Sequence, residues 1–158
     1  MALSRKIRVM ISSRCDDKFP PPDGTTLSQI RRDLKREIEA ASLFGSALYE
    51  VWINEESPPQ GGKWDSWDVC IQAVKDCDIL LVLANGNAGW ASDGEDVGIC
   101  HAELATALAT APGKVRVISL GNIKTDRSDA GKRNTRFQAY LAQQSLFRGG
   151  TVQTIHTS

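Results

Sequence analysis

Glu103 is the side chain in this sequence best placed to do chemistry. It stands in GICHAELATAL, Gly98 to Leu108, one carboxylate among small and apolar residues that read as the first turns of a helix. Winding at about 100° per residue puts Cys100, Leu104, Ala107, Leu108 and Ala111 on one stripe, with Glu103 at its edge beside Ile99, Thr106 and Ala107. That phase places it between burial and exposure. His101 lies roughly 160° around the same helix, so it cannot simply pair with Glu103, and packing or capping is its expected role. Partners of Glu103 must come from other segments. Glutamates usually occupy helix surfaces, and the residues alone leave that alternative open.

The elements that must position Glu103 follow from apolar patterning. Ile7 to Ser13 is a buried strand rich in branched residues. After a polar loop with three consecutive prolines, Thr26 and Gln29 form a capping box for a helix whose apolar face is Leu27, Ile30, Leu34, Ile38 and Ala41, with Gly45 as its stop. Ala47 to Asn54 alternates as a half-buried strand does, and EESPPQGGK is a loop. A helix over SWDVCIQAVKDC turns Trp67, Cys70, Ile71 and Val74 inward, and Asp78 to Ala84 is the continuous apolar run of a central strand. NGNAGWASDGEDVG then feeds the helix of Glu103, which ends at Pro112 and Gly113. Lys114 to Leu120 is a strand, NIKTDRSDAGKRN a surface loop, TRFQAYLAQQSLF an amphipathic helix, and TVQTI a short fifth strand. This alternation predicts a five-stranded parallel sheet with right-handed crossovers in a doubly wound α/β sandwich.

A chain of 158 residues is one domain by size. A covering helix after the fifth strand is missing, so the expectation is a domain, 1–158, excised from a longer protein. Lys plus Arg and Asp plus Glu balance at 19 each, which gives no electrostatic reason to expect nucleic-acid or membrane binding. The RRDLKRE cluster, Arg31 to Glu37, reads as a solvated helix face. Cys15, Cys70, Cys77 and Cys100 lack CxxC spacing, and all but Cys15 sit in apolar patterns, so they read as thiols without disulfide or zinc roles. No signal-peptide core or membrane-spanning run is present, and the expected location is the cytoplasm.

In such sheets ligands bind at the carboxyl ends of the strands, where the strand order reverses. The loops SSRCDD, NEESPPQGGKW and NGNAGWASDGEDVG leave those ends. They supply candidate substrate contacts at Ser12, Ser13, Arg14, Asn54, Trp64, Asn85 and Trp90. The two tryptophans could stack on a base or on a nicotinamide ring, and core or loop packing is the alternative for both. Ser12, Ser13 and Asn85 could equally be turn or strand-end residues, and adjacent Asp16 and Asp17 read as turn chemistry. A GxGxxG after the first strand, a GxxxxGK[ST] loop, a phospho-accepting Asp after the third strand and a Ser, His and Asp set are all absent. One reaction suits a lone carboxylate. Cleavage of an N-glycosidic bond develops positive charge on the sugar, which a fixed carboxylate stabilises or captures. A leaving base that departs neutral, as a pyridinium does, needs no general acid.

The run from Trp67 to Leu104 resembles the middle of a Toll/interleukin-1 receptor (TIR) domain, with Cys100, Glu103 and Leu104 matching the C, E and L of a WCxxEL-like helix start and Ile99 in place of Trp. IRVMISSRCDD and the later segments resemble the TIR-like domain of unknown function at the N-terminus of bacterial STAND-type ATPases linked to phage defence. The resemblance implies a flavodoxin-like three-layer sandwich that cleaves NAD+ with Glu103 as the catalytic carboxylate. It further implies NAD+ as substrate with no cofactor or metal, and self-association aided by C-terminal sensor or oligomerisation domains. A noncatalytic TIR-like interaction module and a nucleoside deoxyribosyltransferase-like enzyme are the competing readings.

Overall fold

The computed structural model describes residues 5–54, 66–91, 94–148 and 152–154. Its centre is a parallel sheet of four strands: β1 (Ile7–Ser12), β2 (Tyr49–Trp52), β3 (Ile79–Ala84) and β4 (Val115–Ser119). They lie in the order β2-β1-β3-β4, with Val9 opposite Val51 and Ile79, and Leu83 opposite Ile118. Within the expected fifth strand, the backbone of Val152–Thr154 runs parallel beside β4, and the rest of TVQTI lies outside the described residues. Among the described residues four α-helices connect or follow the strands: α1 (Leu27–Ala40), α2 (Ser66–Asp76), α3 (Ile99–Thr110) and α4 (Asp129–Arg148). The chain is therefore α/β with a layout compatible with a flavodoxin-like sandwich.

Strand alternation sorts the core into two halves. Met10, Leu80, Val82, Val115 and Val117 face Cys70 and Val74 of α2, Cys100 and Leu104 of α3, and Phe137 of α4. Val9, Ile11, Val51 and Leu83 face Ile30, Leu34 and Ile38 of α1. β3 is apolar throughout because it contributes to both halves. Burying Phe137, 1% exposed, is worth about 1.5–3 kcal/mol and fixes α4 to the sheet.

β2 is the edge strand, and α1 closes its open side. Lys35 donates to the Val51 carbonyl at 2.9 Å, and the Val51 N–H donates to Glu39 at 3.1 Å. Two side chains one helical turn apart thus occupy the ladder groups that another strand would use.

Two helix ends differ from their sequence expectation. α1 begins as predicted, with the Gln29 N–H donating to Thr26 Oγ1 at 3.2 Å, but it stops at Ala40. Gly45 instead turns a small hairpin that pairs Ser42–Leu43 with Ser46–Ala47. α4 begins within the expected surface loop, because Ser128 Oγ accepts the Gly131 N–H at 3.0 Å and Asp129 supplies a first-turn acid. A Cβ at Gly131 would run into the Asp126 carbonyl, which explains a glycine inside this first turn.

Candidate active site

Strand order reverses between β1 and β3, so the loops that leave their carboxyl ends border a common crevice. The β3–α3 loop is closed against the start of α3. The Cys100 N–H donates to the Ala88 carbonyl at 2.9 Å and the Ile99 N–H to the Trp90 carbonyl at 2.8 Å. This closure needs Gly98, where a Cβ would collide with the Ala88 backbone. It aims the second turn of α3, and with it Glu103, toward the end of β1.

Glu103 is only 5% exposed, so the sequence expectation of a half-exposed stripe edge is corrected to full burial. The reason is a helix neighbour that the phase of α3 could not reveal. Arg31 of α1, 3% exposed, reaches into the same region, donating to the Ser13 carbonyl at 3.2 Å and to Cys15 Sγ at 2.9 Å. Burial pushes the Glu103 pKa up to about 7, while Ser12 and the Arg31 charge pull it back toward the anion. The Ser12 hydroxyl is buried beside this carboxyl and makes no hydrogen bond of ordinary length and angle. A carboxyl held near neutrality exists in both protonation states at physiological pH, a property suited to acid–base or electrostatic catalysis. Burial and the Glu103 charge raise the Cys100 thiol well above the usual range, so Cys100 is an inert packing group.

A cavity of about 40 Å³ lies against Glu103, the sole carboxylate among its described lining residues. Ser13, Arg14, Asn54 and Trp90, all expected at the crevice, line it. Trp64 lies outside the described residues. Ser12 adjoins Glu103 from the end of β1. Asn85 is committed elsewhere: its amide donates to Asp17 at 2.8 Å, as does that of Asn87 at 2.9 Å, which ties the β3–α3 loop to the β1–α1 loop. Asp17 therefore does more than shape its own turn. A volume of about 40 Å³ accommodates a few waters, whereas ligand pockets span about 300–1,000 Å³. The carboxyl group stands in a small cavity among the described residues.

Sequence reasoning missed Arg31, Cys15 and Trp52, which also line this cavity. Arg31 was assigned to a solvated face, yet its spacing from Leu27 and Leu34 puts it on the apolar stripe of α1. That phase was the available signal. No comparable signal marks Trp52, which reaches the cavity from the end of β2. His101 faces away from Glu103 and packs against Phe137 and Tyr140, with ring centroids 5.4 and 4.7 Å apart. Burial and then Arg136 lower its pKa, which keeps it neutral. Trp90 is 39% exposed and meets Trp67 edge-on at 5.5 Å.

Among the described residues, no group of three or more His, Cys, Asp or Glu could hold a metal ion. No described helix is long and apolar enough to cross a membrane. No family model matches the chain, and no curated protein matches it either.

Proposed function

We propose that the chain is an NAD+ glycohydrolase, a TIR-like five-stranded sandwich serving as the effector domain of a cytoplasmic bacterial antiviral defence protein. The observation that carries the chemistry is Glu103, a buried carboxyl with a pKa near 7 at the strand-order reversal, and the one carboxylate among the described residues that line its cavity. An ordinary glycosidase needs two carboxylates. NAD+ needs fewer groups, because nicotinamide leaves neutral when the bond between its ring nitrogen and the ribose carbon breaks. Ionised Glu103 then opposes the positive charge on the ribose, and water adds there to give ADP-ribose and a proton. Arg31 favours the ionised form, and Trp90 offers a ring face at the cavity wall. The defence role, self-association and C-terminal sensor domains come from the TIR resemblance.

The small volume of this cavity favours a second reading, a noncatalytic TIR-like interaction module, because a dinucleotide exceeds the space that the described residues leave. Incubating the purified chain at low and high concentration with NAD+, and separately with deoxynucleosides, separates the readings. Nicotinamide release that rises with pH through about 7 and disappears in Glu103→Gln supports the hydrolase. Base exchange on deoxynucleosides would identify a deoxyribosyltransferase-like enzyme. Inertness toward both at every concentration would leave the interaction module.

A further inference from the structure

An open groove of about 380 Å³ runs between β2 and α2. Its floor follows from strand alternation. Val51 packs on the α1 side of the sheet, so Glu50 and Trp52 take the opposite face of β2, and the register sets Arg8 beside Glu50 and Met10 beside Trp52. The wall is one stripe of α2, Val69, Gln72, Ala73 and Asp76, at helical spacing. α2 packs chiefly against α3, and the small side chains of Val69 and Ala73 leave the gap over the edge strand open. The volume lies within the range of pockets that take a small ligand.

The lining is half apolar and half polar, and the polar half is specific in its chemistry. Gln72 Nε2 donates to Asp76 Oδ1 at 2.9 Å, one turn along the helix. That bond orients the Gln72 amide and leaves its second N–H and its carbonyl oxygen for a ligand. A side-chain amide used in this way matches adenine, its oxygen accepting an amino hydrogen while its N–H donates to a neighbouring ring nitrogen. The second amino hydrogen of adenine suits a carboxylate acceptor such as Glu50. Guanine would set a carbonyl oxygen against that carboxylate.

We propose that this groove binds adenine as part of a nucleoside or nucleotide, with the base stacked on Trp52 and its amino edge held by Gln72 and Glu50. Stacking on an aromatic ring accepts any base, so the two polar side chains set the selectivity. Trp52 also lines the Glu103 cavity, together with Arg14 and Arg31. Where the adenine belongs to NAD+, an identification that rests on the hydrolase reading, the groove takes the adenosine half that the space of about 40 Å³ beside Glu103 is too small to hold. A free adenine nucleoside uses the same contacts.

The test is titration of the full chain with adenosine, guanosine and NAD+, following the Trp52 indole N–H by nuclear magnetic resonance, with Trp52→Phe to assign that signal. Adenosine should move the signal and saturate below about 10 mM, with guanosine at least about tenfold weaker. Gln72→Leu and Glu50→Ala replace exposed side chains and should each weaken adenosine binding about tenfold while the chain stays folded. In Glu103→Gln, NAD+ that displaces adenosine and binds at least about tenfold more tightly identifies the dinucleotide as the source of the base, and adenosine that binds without being displaced identifies a free adenine nucleoside; both results support the groove. A Trp52 signal unmoved by adenosine, equal affinity for guanosine, or undiminished adenosine binding in both groove variants would overturn it, whether or not NAD+ is cleaved. Adenosine binding without nicotinamide release would refute the hydrolase alone.

Discussion

Replacing Glu103 by Gln keeps the side-chain shape and removes the titration, so its effect on stability should depend on pH in a way that can be worked from the structure. In the fold the carboxyl titrates at about 7, against an ordinary 4.5. At 1.36 kcal/mol per pH unit, holding it ionised costs the fold about 3 kcal/mol once pH is well above 7. The sign follows from proton binding. Below about 4.5 both folded and unfolded chains carry the neutral acid and no cost exists, and as pH rises through about 7 the folded chain must give up a proton it holds more tightly. Wild-type stability attributable to Glu103 is therefore full in acid and lost toward pH 8. Glu103→Gln should match the wild type near pH 4.5 and exceed it at pH 8.5. The amide leaves hydrogen bonds of its own unmet, so about 3 kcal/mol is a ceiling. For a domain of this size the ceiling corresponds to roughly 6–12 °C in melting temperature. Thermal melts of both proteins from pH 4.5 to 8.5 measure it. A difference that does not change with pH, or a variant relatively less stable at pH 8.5 than at pH 5, would refute the buried and destabilised anion. In the same variant, NAD+ cleavage should fall by about 10² to 10³, the usual cost of losing a transition-state electrostatic contact.

Asp17→Ala removes the acceptor shared by Asn85 and Asn87 and should lower stability by about 2–3 kcal/mol in urea titration, with unchanged stability counting against the loop tie. Trp90→Ala should raise the Michaelis constant for NAD+ about tenfold and cost about 1 kcal/mol of stability through its edge contact with Trp67; a large melting shift with unchanged kinetics would make Trp90 a packing residue. Lys35→Ala with Glu39→Ala frees the outer ladder groups of Val51 and should cost about 1 kcal/mol while promoting edge association visible in light scattering. A monodisperse variant of wild-type stability would show that the pair does not protect the edge.

Much of the fold was legible because it depends on local patterning. The apolar runs at Ile7–Ser12, Ile79–Ala84 and Val115–Ser119 are strands where expected, and the Thr26 cap starts α1. The errors fall where local signals compete. Gly45 served as a helix stop on paper and turns a hairpin in the fold, and the charged DAGKRN hid a helix start that Ser128 had marked. At the site, Glu103 and the crevice residues Ser13, Arg14, Asn54 and Trp90 were expected to stand near one another, and all five line one cavity.

The sequence by itself determined the alternation of strands and helices and the carboxyl edge that carries polar loops. Each of these follows from hydrophobic period, capping chemistry or turn residues, which act over a few neighbours along the chain. Only the tertiary structure decided that Glu103 is buried, that Arg31 crosses from α1 to favour its anion, and that Asn85 is held by Asp17. Burial and electrostatic coupling depend on distances between side chains far apart in sequence, and those distances are set only when the helices pack against the sheet.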